Sequence, residues 1–399
     1  MDLQYSEEQQ LIARQAREFF ERECPLEAVR DCWTKGGVLA QPLWGRMAEL
    51  GWLGAMLPER FGGMALSHTD FTRIAEEAGR GLLPAPLLGT VAAAQAIVLA
   101  GGEAVQEEVL PGVAAGDCRL ALVRHGEGGR VNRLGGRFHA VPDGDGVRLY
   151  GEKLAVPGLA EADRLVVAAV PGKPRPGQGE AGQTIQAGDG VAYYVVDPKA
   201  EGVEIAPLEA LEGGWPQGGL RLSGVAVPAA HCLTAGPPAD GDGVDTAARV
   251  DAQLELALAF DALGGAQRLL ELTVEYAGLR TAFGHPIGTY QAVKHKCADV
   301  LYAVENLRIV GQWAGWVLDV PRAESGTEPA AATAVARAAA IEAYDLAVRN
   351  STQVHGAIGV TEEHDLHLFA KRSKTLGLAF GSLAFHQERI LADHGFGAA

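Results

Sequence analysis

The side chains of this sequence that are spaced for chemistry fall into three groups. Arg280 sits in EYAGLRTAFGHPIGTYQAVKHKCADV (275–300), at a turn between two stretches of helical apolar spacing. A guanidinium there suits a phosphate, because its rigid fork makes two parallel charge-assisted bonds that an ammonium cannot copy. Taken alone, the same residue reads as a surface ion pair. His364 and His367 stand at i, i+3 spacing near His355, and Glu363 can join His367 on one helix face. No cysteine and no known metal signature accompanies them, so surface or capping histidines are expected, and no metal site. Cys24, Cys32, Cys118, Cys232 and Cys297 are too scattered for a CxxC site, and their odd number argues against a secreted disulfide framework. Buried free thiols are expected.

The chain that positions these groups has 399 residues, enough for two or three domains. A formal charge of −16 disfavours a general attraction to nucleic acid or anionic membrane, which need a basic surface. An anionic ligand must therefore meet a local basic spot. The opening MDLQYSEEQQ is polar, and no apolar run approaches about 20 residues, so neither signal peptide nor spanning helix is expected and a cytoplasmic location is.

Helical patterning fills residues 1–116. In SEEQQLIARQAREFF, Ser6 can cap, Glu8 and Gln9 occupy the first turn, and Ile12, Ala16 and Phe19 share a face. Residues 117–235 change to short runs (CRLALVR, VRLYG, RLVVAAV, VAYYVVD, VEIAP, LRLSGVAV) between Gly, Pro and Asp clusters, which predicts a small antiparallel β domain. A polar stretch at 171–190 reads as a hairpin loop, and the Gly, Pro and Asp stretch at 235–245 as a domain crossing. Residues 245–399 return to helical spacing. Leu256, Phe260, Leu263, Leu270, Val274 and Ala277 form one stripe, and Val293, Cys297, Val300, Val304 and Leu307 another. With an Ala-rich helix from Pro329 and a last one from Thr361, they predict an up-and-down four-helix bundle, and the whole chain an α+β fold.

ELGWLGAMLPERFGGMALS (49–67), the 275–300 segment and TQVHGAIGVTEEHDLHLFAKR (352–372) together resemble, in order along the chain, the acyl-CoA dehydrogenase family. The resemblance implies helices, then a β-barrel-like domain, then a four-helix bundle, commonly assembled as a dimer of dimers. It also implies a reaction. A base removes the α proton of an acyl-CoA thioester while the β hydrogen leaves as hydride to FAD. Arg280, Phe283 and Gln291 fill the family's R-x-x-F-G-x-P-I-G-x-x-Q pattern, which holds the ADP half of FAD of a neighbouring subunit. Gln353 and Gly356 match a second FAD-contacting segment, with Ala357 where the family often has Gly.

The flavin half departs from the family. Where members read near T-E-P-x-A-G-S-D, this chain has VRHGEGGR: Val123 lacks the hydroxyl, Arg124 reverses a charge, and Gly129 and Arg130 replace Ser and Asp. Where members read near W-I-T-N, it has AVPG, Ala155 to Gly158, so the aromatic platform and a donor are gone. Phe380, before Gly381, stands at one family position for the catalytic Glu, and Leu254 at the other. Glu255 is one residue from the latter, but one helical step rotates a side chain by about 100°, so a solvent-facing charge is expected there.

These departures imply the accessory subunit of a heterotetrameric (α2β2) acyl-CoA dehydrogenase, of the kind that acts on fatty or steroid side-chain acyl-CoA substrates. It would lend its ADP clamp to a catalytic partner, with electron-transfer flavoprotein as the acceptor the resemblance implies. Two alternatives stay open: a self-sufficient homotetramer with a displaced base such as Glu255, and a non-catalytic scaffold that binds acyl-CoA or a protein.

Overall fold

In a computed structural model of the chain, residues 4–34, 41–124, 138–172, 190–233 and 246–395 are described. Most of the expected 171–190 loop, the whole of the 235–245 crossing, and Gly129 and Arg130 lie outside the described residues.

Among the described residues the chain opens with helices α1 (Glu7–Glu23), α2 (Leu26–Thr34), α3 (Gln41–Glu49), α4 (His68–Arg80), α5 (Leu87–Ala100) and α6 (Glu103–Ala115). The start of α1 is fixed reciprocally: Ser6 Oγ accepts the Gln9 N–H at 3.1 Å, and Gln9 Oε1 accepts the Ser6 N–H at 3.0 Å. Its buried face carries Ala13, Ala16, Phe19 and Phe20, and both rings pack on Trp52, at 4.9 and 5.3 Å between centroids. Helix α5 is apolar nearly all round because it is buried nearly all round.

The middle of the chain forms strands β1 (Leu120–Val123), β2 (Phe138–Asp143), β3 (Gly146–Pro157), β4 (Arg164–Pro171), β5 (Ala192–Val196), β6 (Val203–Leu208), β7 (Gln217–Val227) and β8 (Cys232–Leu233). They run in the order β6-β7-β3-β2-β4-β5-β8, with β1 on β4. The expectation of a purely antiparallel domain needs correction, because β4 pairs in parallel with both β1 and β2.

The last part holds α7 (Thr246–Leu279), a two-stranded hairpin of β9 (Thr281–Ala282) and β10 (His285–Pro286), then α8 (Gln291–Asp319), the short α9 (Arg322–Ser325), α10 (Pro329–His355), α11 (Leu366–Leu378) and α12 (Leu383–Asp393). The expected fourth bundle helix is thus two helices. Residues 254–266 of α7 are buried without interruption, since α4 and α5 cover one side and α8, α10 and α11 the others. Val274, assigned to the buried stripe, is instead 53 % exposed near the end of α7.

Two glycines let α4 and α7 touch backbone to backbone. A Cβ on Gly79 would stand 2.0 Å from the Asp261 carbonyl oxygen, and one on Gly264 only 1.8 Å from that of Glu76. Asp319, closing α8, ties the same α4 to the bundle by accepting the His68 N–H at 2.7 Å and the Thr69 N–H at 2.9 Å. Arg372 of α11 is wholly buried and bonds Asp261 at 3.2 Å, Glu212 at 3.1 Å and the Leu83 carbonyl at 3.1 Å. Among the described residues no helix is long and apolar enough to cross a membrane.

Candidate functional site

Helices α5 and α7, strand β1, the end of β3, residues 214–216 and Phe380 enclose a cavity of about 540 Å³, counted out to its mouth. Both expected positions of a catalytic carboxylate, Leu254 and Phe380, line this one cavity, and both are apolar. Pro157 and Gly158, from the altered AVPG segment, line it too. Ala155 begins that segment at φ 57°, a left-handed backbone that a residue with a Cβ enters only at a cost.

Phe380 is held the same way, at φ 60°. Behind it, Arg337 donates from Nη2 to the carbonyls of Leu376, at 2.7 Å, and Ala379, at 3.1 Å, fixing the end of α11. In front, the Arg124 guanidinium lies 4.8 Å from the Phe380 ring centroid while its Nε donates to Asp251 Oδ1 at 2.6 Å. Arg124 therefore bridges the sheet and α7 beside the position where a base would stand. Val123 next to it is fully buried in the sheet's core.

His386, whose Nε2 would stand 3.0 Å from a Cβ on Gly381, offers no base. Burial, with Arg337, Arg389 and Arg124 around it, pushes its pKa down to about 2, so it stays neutral and weakly basic.

Glu255 overturns the expectation of a solvent-facing charge. It is 1 % exposed; Oε1 accepts from Arg389 Nη1 at 2.7 Å and Oε2 from Thr333 Oγ1 at 2.9 Å. A helix packed on all sides has no water-facing side, so one step of rotation carries the carboxylate away from the cavity and into the bundle. Each of its oxygens accepts a structural hydrogen bond.

Glu161, which the sequence analysis did not single out, also lines the cavity. Its side chain is 13 % exposed, and burial raises its pKa against the opposing Arg119, whose Nη1 is 3.6 Å away.

The proposed clamp residues sit at the opposite kind of environment. Phe283 and Gly284 form the two-residue tip between β9 and β10, both at positive φ (52° and 82°), and Phe283 is 94 % exposed. Arg280, Gln291, Gln353 and Gly356 are exposed as well. Arg280 caps α7, its N–H bonding the Tyr276 carbonyl at 2.8 Å, and among the described residues it takes part in no ion pair. Tyr276 stacks on His355, which lies between Gln353 and Gly356, so the two clamp segments adjoin.

The histidines need one correction. His364 does cap, its Nδ1 accepting the Leu366 N–H at 3.2 Å, but His355 is buried, packed between Tyr276 and His364. Among the described residues no three metal-ligating side chains come together. All five cysteines are free, though only Cys24 is fully buried, which pushes its thiol up to about 12.

Residues 6–117 match the family model described as acyl-CoA dehydrogenase, N-terminal domain, and residues 241–395 that described as acyl-CoA dehydrogenase, C-terminal domain. The acyl-CoA dehydrogenase IpdE2 of Mycobacterium tuberculosis is 28 % identical over 92 % of this chain and 91 % of its own length. Among solved structures, the ChsE4-ChsE5 complex from Mycobacterium tuberculosis has a chain 26 % identical, with TM-score 0.84 over 100 % of both chains. A variant of the Tcur3481-Tcur3483 steroid ACAD is 30 % identical, with TM-score 0.82 over 98 % of both chains.

Proposed function

Because this chain belongs to the acyl-CoA dehydrogenase family, we propose that it is the accessory half of a two-component flavoenzyme that dehydrogenates acyl-CoA thioesters between Cα and Cβ. The observation that carries the reading is that Leu254 and Phe380 line one cavity as hydrocarbon. A group that must take the α proton needs a carboxylate of suitable pKa at one of these places. Arg124 over Phe380 and the left-handed Ala155 support the same reading from the flavin side.

The residues fit one half of FAD and not the other. An exposed Arg280 without an ion pair among the described residues suits a pyrophosphate, and an almost fully exposed Phe283 suits a partner's surface or a planar ring. Gln291, Gln353 and Gly356 would complete the contact. When bound, FAD supplies the two-electron acceptor; this chain's part is to hold its ADP half while a catalytic partner supplies the base and the flavin-ring contacts. The assembly is then an α2β2 heterotetramer of units 1–116, 117–235 and 245–399, passing electrons to electron-transfer flavoprotein in the cytoplasm. The two-chain complexes among the structural relatives support the pairing, and the steroid ACAD among them supports a bulky acyl group as substrate.

The test is to purify the chain with and without its genomic neighbour and record flavin absorbance and acyl-CoA oxidation. The lone chain is expected to be nearly colourless and inactive, and the pair yellow and active. Robust turnover by the lone chain would refute the accessory role.

A further inference from the structure

The segment that carries Gln353 and Gly356 runs on, past a short helical turn at Gly356–Val360, into an acidic junction. Glu362, Glu363, His364 and Asp365 lead into α11, so three of these four residues are carboxylates. His364 brings the junction back onto the clamp, its ring meeting that of His355 edge-on at 4.7 Å. Like charges crowded there repel one another and loosen the loop that bears them.

Arg30 of α2, far away in the sequence, holds this junction. Its guanidinium donates from Nη1 to the Glu362 carbonyl, and from Nη2 to the Glu363 carbonyl at 3.1 Å and to Asp365 Oδ1 at 2.5 Å. A planar fork spans two successive carbonyls and a carboxylate at once, which an ammonium cannot. Among the described residues, the other hydrogen bonds of residues 361–365 go only to near neighbours in sequence. Asp365 makes no side-chain cap at the start of α11, and its carboxylate serves Arg30 instead.

The mount beneath Arg30 is firm. Val29 beside it is fully buried, and Trp33, one turn on, packs so closely on Gly213 and Gly214 that a Cβ there would stand 2.9 Å from its Cα and 2.6 Å from its Nε1. The contacts then form one path. Arg30 fixes residues 362–365, His364 packs on His355, and His355 stacks on Tyr276, one turn before Arg280.

We propose that Arg30 is a positioning residue of the ADP clamp, through which the N-terminal helices hold the Gln353–Gly356 segment in place for FAD; this rests on the clamp reading above.

FAD titration of the co-purified pair, followed by flavin fluorescence, tests it with Arg280→Ala as the reference. Arg30→Met keeps the aliphatic stem and loses the fork, and FAD should bind about fivefold more weakly. Arg30→Lys keeps a charge for Asp365 but cannot span both carbonyls, and should fall between the parent and Arg30→Met. Combined with Tyr276→Leu, Arg30→Met should cost less than the product of the two single losses, because both act through His355. An arginine that served only the stability of α2 would give the full product. Amide hydrogen exchange of the lone chain reads the same tether without flavin: residues 361–366 should exchange roughly tenfold faster in Arg30→Met, with α2 as in the parent. Unchanged FAD affinity in Arg30→Met while Arg280→Ala weakens it, a full product with Tyr276→Leu, or unchanged exchange at 361–366 would each overturn the inference and leave the clamp standing. Unchanged affinity in Arg280→Ala would instead bring down the clamp reading, and this inference with it.

Discussion

Tyr276 and His355 stack with ring centroids 4.3 Å apart and planes 21° from parallel, and the tyrosine hydroxyl stands 3.5 Å from the His355 carbonyl oxygen. This pair joins the end of α7 to the end of α10, one helical turn before Arg280 and directly between Gln353 and Gly356. Tyr276→Leu removes the stacking and leaves every proposed FAD contact in the sequence. Such pairs contribute about 0.5–1.5 kcal/mol, so FAD affinity of the assembled complex should fall by roughly two- to tenfold. Flavin retention on gel filtration measures it, and unchanged retention would show that the two segments are held by other means.

Arg280→Ala removes a side chain that supports no core and makes no ion pair among the described residues. The melting temperature of the complex should stay within about 2 °C. FAD should bind roughly tenfold or more weakly, as expected for a lost charge-assisted bond of about 1.5–3 kcal/mol. A variant that binds FAD like the parent would remove Arg280 from the clamp.

Glu255→Gln now separates structure from chemistry. The amide cannot neutralise Arg389, whose side chain is 24 % exposed and so partly relieved by water. The expected loss is about 2 kcal/mol of stability, measured by denaturant unfolding, with kcat per folded complex changed less than about twofold. A rate loss of about 100-fold with stability intact would make Glu255 a base after all.

Asp319 gives a pH signature. Burial pushes its carboxyl up, but the hydrogen bonds and charge from His68 and the bonds from Thr69 win, and the net pKa is lowered. A carboxyl whose folded pKa lies below its unfolded value, near 3.9, stabilises fully above that value, and the benefit is lost as pH falls through the folded one. Asp319→Asn should therefore cost about 1–2 kcal/mol at neutral pH. The deficit should shrink toward zero below about pH 4. Unfolding midpoints across pH 3–7 read this directly, and a deficit constant with pH would remove the charge from the account.

Local signals in the sequence were readable because they act over three or four residues. Ser6 and Gln9 announced the start of α1, and the Val300, Val304 and Leu307 spacing announced the buried side of α8. What escaped was set by distant neighbours. Strand β2 contains Pro142, and the β1–β4 parallel pairing joins residues some forty positions apart. Glu255 looked exposed because helical periodicity assumes a wet side, which α7 lacks along its central turns. Phe283 projects from a two-residue turn without the Asn-Gly or Asp-Gly that usually announces one, so its exposure was not legible from local chemistry.

The paired glycines of α4 and α7 have a mechanical consequence. With no side chain between Gly79 and Asp261 or between Gly264 and Glu76, these helices have no cushion on which to slide or roll. The start of α4 is in turn tied to the end of α8, where Asp319 accepts the His68 and Thr69 N–H groups. Helix α7 carries Leu254 on the cavity at one end and leads into Arg280 at the other. Cavity and clamp thus ride on one continuous helix, so in the proposed assembly their separation is set by the length of α7.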